Sequence, residues 1–426
     1  MGLSKRKLAF WGGAFSAMAK RKGGKKRKQS PASMPPKFQD VDLKEPDSEL
    51  AETPPEDPDT PVETPSKARR FFEPIDWIAG AVATFISLAV YLYTVAPDVT
   101  LEDSGELAVG SMYAGVPHPP GYPVWTIYSW LFTKLLPFSN IAWRVAVSSA
   151  VAAAISCGLI TMMVTRGSAL MLEGIELFKD LAGRRRAWLC AIAGTAAGLI
   201  FAFNGFVWSQ AVIVEVYTLG ILTFVITLIL LMRWFFVPEN RRYLYAAIFV
   251  FGLCFTNHQT LVLAAPGIVL LILLADRRLG RDFLFLSGGV YMLLLIYTLK
   301  DADDPTRSNP GLFILVNLIG TALMATLVAI TVRMPVRSLS ALVGGAYFVV
   351  ALTMGYAWSV FIEKDRLESA KGVVLLWVAL NTVLLIVLFA YSWLDTKKRE
   401  SGLLTHWMPL LGATASFVVG ISFYLY

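Results

Sequence analysis

Long apolar runs recur from residue 75 to the last residue, each bounded by a short cluster of charge, and this pattern constrains the chain more than any other feature. Wound as a helix, about twenty apolar residues match the ~30 Å hydrocarbon layer of a bilayer, and a water-soluble fold has no use for many such runs. The first covers residues 75–95, and others follow at 123–138, 143–165, 187–207, 211–232, 244–274, 283–299, 311–332, 338–361, 373–394 and 403–426. Composition agrees: of 426 residues 56% are hydrophobic and 16% charged, where soluble globular chains carry about a quarter charged residues. The run at 244–274 is long enough for two spans broken near Asn257. The expected fold is therefore an all-α polytopic membrane protein with about eleven or twelve transmembrane helices.

The charges are segregated, so the net charge of +7 is not a nucleic-acid footprint. Lys and Arg clustered beside apolar spans set topology and meet anionic headgroups. Residues 1–39 hold many basic residues and no acid, and residues 40–65 reverse the sign among several prolines. Neither half can bury a core, so residues 1–70 are expected to be a disordered cytoplasmic tail ahead of a membrane domain at 71–426. The apolar stretch 8–19 resembles a signal peptide, but seven of the nine residues after it are Lys or Arg, which resists export. Cys157, Cys190 and Cys254 all fall inside apolar runs and read as small buried hydrophobes rather than as metal ligands or a disulfide framework.

Lys67, Arg69 and Arg70 flank the first span and should keep the tail in the cytoplasm, sending residues 96–122 to the external face. Two full crossings between 123 and 165 would then put Arg184, Arg185 and Arg186 outside. Either one of those runs does not cross fully, or residues 170–181 re-enter the bilayer. The chain ends within an apolar run, which reads as a domain truncated at its C-terminus.

The first external loop carries the most chemistry. It reads Asp103-Ser104-Gly105-Glu106 and, further on, His118-Pro119-Pro120-Gly121-Tyr122-Pro123. Asp103 and Glu106 are three apart, so on a helix the two carboxylates share a face. The Pro/Gly-rich stretch breaks that helix and leaves His118 at the water–lipid boundary. Two carboxylates and a histidine at the mouth of a membrane cavity suit a transfer reaction: one carboxylate takes a proton from an acceptor hydroxyl while the other tunes it or helps hold a cation. A loop that is simply wet is the alternative reading. Two more polar clusters interrupt apolar runs: Trp208-Ser209-Gln210 with Glu215-Val216-Tyr217, and Thr256-Asn257-His258. Glu215 is costly there unless it faces a cavity or a partner. No glycine loop for cradling nucleotide phosphates is present.

These four motifs, in this order, resemble a membrane family long catalogued as a domain of unknown function, which includes the animal transmembrane protein O-mannosyltransferase of plexin-type and growth-factor-receptor ectodomains. That family is similar in plan to the GT-C glycosyltransferases. The resemblance spans about residues 71–300 and implies a GT-C-like helical bundle with a catalytic first external loop. It implies an inverting enzyme that moves a sugar, mannose or a similar hexose, from a polyprenyl-phosphate carrier to Ser or Thr hydroxyls of exported polypeptides. Asp103 would be the general base, with Glu106 and His118 orienting it or holding a divalent cation if the reaction uses one. Trp208, Gln210, Glu215, Tyr217, Asn257 and His258 would bind substrate, the last two at the departing phosphate. The setting implied is a bacterial inner membrane or its equivalent. The rival readings are a glycosyltransferase of glycolipid or polysaccharide, and a transporter or non-catalytic membrane protein. A transporter fits less well because neither motif has a second copy. A cysteine at position 104 is expected to react with a membrane-impermeant reagent from the external side; labelling from the cytoplasmic side alone would reverse the topology.

Overall fold

The computed structural model describes residues 71–172, 175, 183–300, 310–332, 367–399 and 403–423. The tail at 1–70, the apolar run at 338–361 and most of residues 173–182 lie outside the described residues. Every regular element among those described is helical: α1 Pro74–Thr94, α2 Ser104–Tyr113, α3 Pro123–Leu135, α4 Ile141–Leu172, α5 Gly183–Ala202, α6 Gly205–Ala211, α7 Tyr217–Phe236, α8 Arg242–Asn257, a 3₁₀ turn Gln259–Ala264, α9 Ala265–Ala275, α10 Arg277–Lys300, α11 Pro310–Val332, α12 Leu367–Arg399 and α13 Leu403–Ser422.

Among the described residues five helical stretches are long and apolar enough to cross a membrane, and a sixth span arises if α5 and α6, bent by 67° at their junction, are one. The all-α polytopic class is thus what the chain adopts. Fewer full-length spans are seen among the described residues than the sequence pattern suggests, because the run at 338–361 lies outside them and several other apolar runs break into short helices. The run at 123–138 gives α3, whose 13 residues reach only about 20 Å at 1.5 Å per residue, short of the hydrocarbon layer. That length supports a run that does not cross fully. The run at 244–274 breaks at Asn257–His258 into a 16-residue helix, a 3₁₀ turn and an 11-residue helix.

Helix α4 is the pillar of the N-terminal half. Its 32 residues extend about 48 Å, and it packs against α1, α3, α5 and α7. Lipid tails are as apolar as leucine, so helices in a bilayer gain little by hiding apolar surface from one another. Close packing of small residues does the work instead. At α1, a Cβ added to Gly158 would strike the Thr84 side chain and lie 2.7 Å from the Gly80 carbonyl. At α5, Gly194 and Gly198 form a Gly-x-x-x-Gly stripe, where an added Cβ would lie 2.8 Å from the Thr161 carbonyl or 2.9 Å from that of Cys157. In the C-terminal half, α8 and α13 cross at Gly252 and Gly420, where a Cβ on Gly252 would lie 2.6 Å from the Phe417 carbonyl. Helices α10, α11 and α12 are tied by buried polar groups: Tyr291 donates to Asn317 Oδ1 at 2.6 Å, and Trp377 Nε1 donates to the Tyr291 oxygen at 3.0 Å.

Position 104 is a poor reporter site, because Ser104 is buried; the neighbouring Leu101, 87% exposed, suits the labelling. The glycine stripe makes its own prediction. Gly198→Val is expected to destabilise the α4–α5 contact by about 1–3 kcal/mol through overpacking. Gly167 on α4 has no atom within 4 Å of its Cβ position, so Gly167→Ala should be neutral or stabilising by up to about 1 kcal/mol. Thermal unfolding of both variants in detergent separates them; equal effects would show that the close approach carries no energy.

Candidate active site

The site is assembled where the loop after α1 meets the segment between α6 and α7. Ala96 N–H donates to the Val212 carbonyl at 2.8 Å. Ser104, the first residue of α2, donates from Oγ to the Val214 carbonyl at 3.3 Å and shares a 2.6 Å bond with Thr100. Beneath them Leu107 and Ala108 of α2, Trp125 of α3, Ala142, Val145 and Ala146 of α4, and Val214, Val216 and Leu219 form one apolar cluster. The loop is thus fixed to the helical bundle at both of its faces.

Asp103 sits at the N-cap of α2, where an aspartate ordinarily spends its carboxylate on the first helical N–H groups. Here it makes no such bond. Its Oδ2 lies 3.9 Å from His118 Nε2. Glu106, one turn further, grips His118 twice: Oε1 accepts the His118 backbone N–H at 2.6 Å, and Oε2 lies 3.2 Å from Nδ1. The far side of the imidazole is closed by Tyr122, whose hydroxyl is 3.3 Å from Nε2. All three side chains keep contact with solvent: His118 is 34% exposed, Asp103 59% and Glu106 50%.

Local backbone geometry produces this arrangement. Gly121 adopts φ +93°, a region that side chains disfavour, and Tyr122 follows at φ 43°. A left-handed non-glycine residue costs about 1–2 kcal/mol. The turn brings the Tyr122 hydroxyl back onto His118, four residues earlier, before Pro123 opens α3. Burial pushes the Tyr122 phenol above its ordinary range, and Tyr217, Glu215, Asp103 and Glu106 push it the same way. The Tyr122 hydroxyl therefore stays protonated and available as a hydrogen-bond donor.

Glu215 is only 4% exposed. Its carbonyl accepts bonds from Trp125 Nε1 at 3.1 Å and Ser149 Oγ at 3.1 Å, and its carboxylate accepts the Val216 N–H at 2.9 Å. Its carboxyl is raised above the usual range, first by burial; the Val216 bond opposes this, Glu102 and Asp103 add to it, and His118 lowers it. Glu215 is therefore within electrostatic reach of the loop cluster. Tyr217 continues the site, with its ring 5.0 Å from that of His258. His258 follows the last residue of α8, and a Cβ at Gly220 would lie 3.7 Å from its Cβ.

Asn257 beside it is fully buried, with neither side-chain polar atom hydrogen-bonded. Gln210 is 91% buried, and its Oε1 likewise has no partner. Trp208 stands apart from the cluster on α6, where Nε1 donates to Thr94 Oγ1 at 3.1 Å and the ring packs over the Tyr91 core. The structure thus brings Asp103, Glu106, His118 and Tyr122 together, with Glu215 and Tyr217 in electrostatic reach of Tyr122 and His258 packed on Tyr217. Sequence reasoning did not single out Tyr122, Trp125 or Ser149. A Gly-Tyr-Pro at a helix start was a signal for the first, whereas Ser149 lies within a small-residue run and gives none.

These features define an all-α polytopic membrane protein with a carboxylate–histidine cluster on the loop after its first span. Residues 103–280 match the family model of the protein O-mannosyl-transferase TMEM260 N-terminal domain. The chain is 31% identical over 190 residues to the protein O-mannosyl-transferase TMEM260 of Mus musculus, covering 44% of this chain and 24% of that protein. It is 27% identical over 238 residues to the protein of that name from Dictyostelium discoideum, covering 52% of this chain and 26% of the relative. The chain therefore spans about a quarter of the length of these curated relatives. No solved structure matches it. Its resemblance to the animal O-mannosyltransferase family, read from the four motifs, is shown over residues 103–280, which open at Asp103 and contain all four.

The buried glutamate gives a pH prediction. A raised carboxyl stabilises the fold through its neutral form, so that contribution is complete below the ordinary glutamate value of about 4.3 and is lost as pH rises through the folded value. Glu215→Gln is neutral throughout and can still accept the Val216 N–H. The melting temperature of wild type relative to Glu215→Gln should therefore fall as pH rises from about 4 to about 8. A pH-independent difference would mean that Glu215 does not ionise against this penalty.

Proposed function

We propose that this chain is the membrane domain of an inverting protein O-mannosyltransferase-like enzyme, moving mannose or a similar hexose from a polyprenyl phosphate to Ser or Thr hydroxyls of exported polypeptides. The observation that carries the reading is the Asp103 carboxylate, uncommitted at its helix cap and held beside His118, on a solvent-reachable loop above a membrane bundle. The names of the relatives support the sugar and the protein acceptor.

In this reading Asp103 accepts the proton of the acceptor hydroxyl as that oxygen bonds to the anomeric carbon. The bond from that carbon to the phosphate oxygen breaks, its electron pair leaves with the phosphate, and the configuration inverts. Glu106 holds His118 by backbone and ring together, and His118 with Tyr122 fixes the direction from which Asp103 meets the hydroxyl. Asn257 carries an unused donor and acceptor, and with His258 it would receive the departing phosphate. Glu215 and Tyr217, with Gln210, would line the sugar and acceptor pocket. The lipid carrier would enter sideways from the bilayer, and the loop would face away from the cytoplasm.

Asp103→Asn keeps size and shape but removes the basic oxygen. Transfer of sugar to an acceptor polypeptide by membranes supplied with polyprenyl-phosphate mannose is expected to fall by a factor of about a hundred to ten thousand. Near-normal transfer by a folded Asp103→Asn protein would rule out this base. Transfer by wild type to glycolipid alone would favour the other acceptor class.

A further inference from the structure

We propose that Asp103, Glu106 and His118 together form a binding site for one divalent cation of the manganese type, with all three side chains as ligands. The inference concerns the same site as the transfer reading, and its test reads metal rather than transfer, so either can fail alone.

Three observations carry it. First, one ligand atom from each of the three residues lies within 4.8 Å of the other two. Metal–ligand bonds of about 2.0–2.2 Å place donors on one ion about 3 Å apart when adjacent and about 4.2 Å apart when opposite. Glu106 Oε2 lies 3.2 Å from Nδ1, a separation that suits adjacent positions on one ion, while the 3.9 Å approach of Asp103 is to Nε2, the other ring nitrogen. Closing on an ion requires the exposed side chains to turn until both carboxylates meet one ring nitrogen. Second, the donor set is two carboxylate oxygens and one imidazole nitrogen. Carboxylates suit Mg²⁺, Ca²⁺ and Mn²⁺ whereas imidazole suits later metals, and the mixture favours an ion that accepts both. Three protein ligands also leave coordination positions open on the solvent side, where a phosphate oxygen could bind.

Third, the site carries uncompensated negative charge. Asp103 and Glu106 each have His118 as their ion-pair partner, and among the described residues no Lys or Arg pairs with either. Glu102 lies in the same loop with a left-handed backbone. Carboxylates crowded in this way repel one another unless a cation stands among them.

Full-length protein purified in detergent and stripped with chelator is titrated with Mn²⁺ and followed by electron paramagnetic resonance. One saturable Mn²⁺ per chain is expected, with a nitrogen coupling in the pulsed spectrum from the His118 imidazole. Glu106→Gln and His118→Ala should each weaken binding by more than about tenfold. Asp98→Asn, at an exposed carboxylate of the same loop outside the cluster, should leave binding unchanged. Absence of saturable binding in wild type, a bound ion without nitrogen coupling, or binding retained by folded Glu106→Gln would each overturn the site. The first two readouts need no variant to fold.

Discussion

Between α6 and α7 the backbone leaves the helical ladder, and inside an apolar bundle each unpaired N–H or C=O costs on the order of several kcal/mol. The protein satisfies this stretch with groups drawn from elsewhere. The Val212 carbonyl is taken by Ala96 of the loop, the Val214 carbonyl by Ser104 of α2, and the Glu215 carbonyl by Trp125 of α3 and Ser149 of α4. Four elements that share no local sequence are therefore tied to one stretch of chain. The position of α2, and with it Asp103 and Glu106, follows from the need to satisfy a break in a different helix pair.

The same economy sets which parts of the site are firm. Glu215 is held through its backbone by two side chains and through its carboxylate by the next N–H, so its orientation is fixed before any substrate arrives. Asp103 immediately precedes, and Glu106 stands on, a 10-residue helix whose inner face is packed and whose outer face is wet. Their only mutual restraint is the histidine between them. A fixed buried acid beside a more adjustable pair gives a site that can close on a ligand or an ion without disturbing the bundle. The tight small-residue contacts of α4 with α1 and α5 keep that bundle rigid underneath, because backbones at van der Waals contact have no slack to absorb a shift.

Much of this was legible in the sequence, and what was not has a physical cause. Apolar runs and charge clusters report membrane helices because hydrocarbon tolerates little else. The three-residue spacing of Asp103 and Glu106 and the helix break at Asn257 both follow from local rules. The run at 123–138 was ambiguous because hydropathy counts apolar residues but cannot see that α3 stops at Leu135, where the chain turns extended at Leu136. Ser149 and Trp125 were invisible for another reason. Their roles depend on a carbonyl 66 or 90 residues away, and a hydroxyl inside a small-residue helix looks the same whether it serves its own turn or a distant one.

Two sets of buried polar groups in the bundle are treated in opposite ways, and the contrast bears on where chemistry resides. In the C-terminal half Tyr291, Asn317, Thr321 and Trp377 satisfy one another across three helices. Such a closed network costs little and fixes how the helices pack. Beside the candidate site, Asn257 is as deeply buried, yet both its donor and its acceptor are unused, and the Gln210 oxygen is unused as well. An unsatisfied buried polar group costs about 1–3 kcal/mol. A fold that closes one such network has the means to close another. Leaving it open is expensive for stability alone, and in the proposed reading hydroxyl or phosphate oxygens of a bound molecule would complete the bonds.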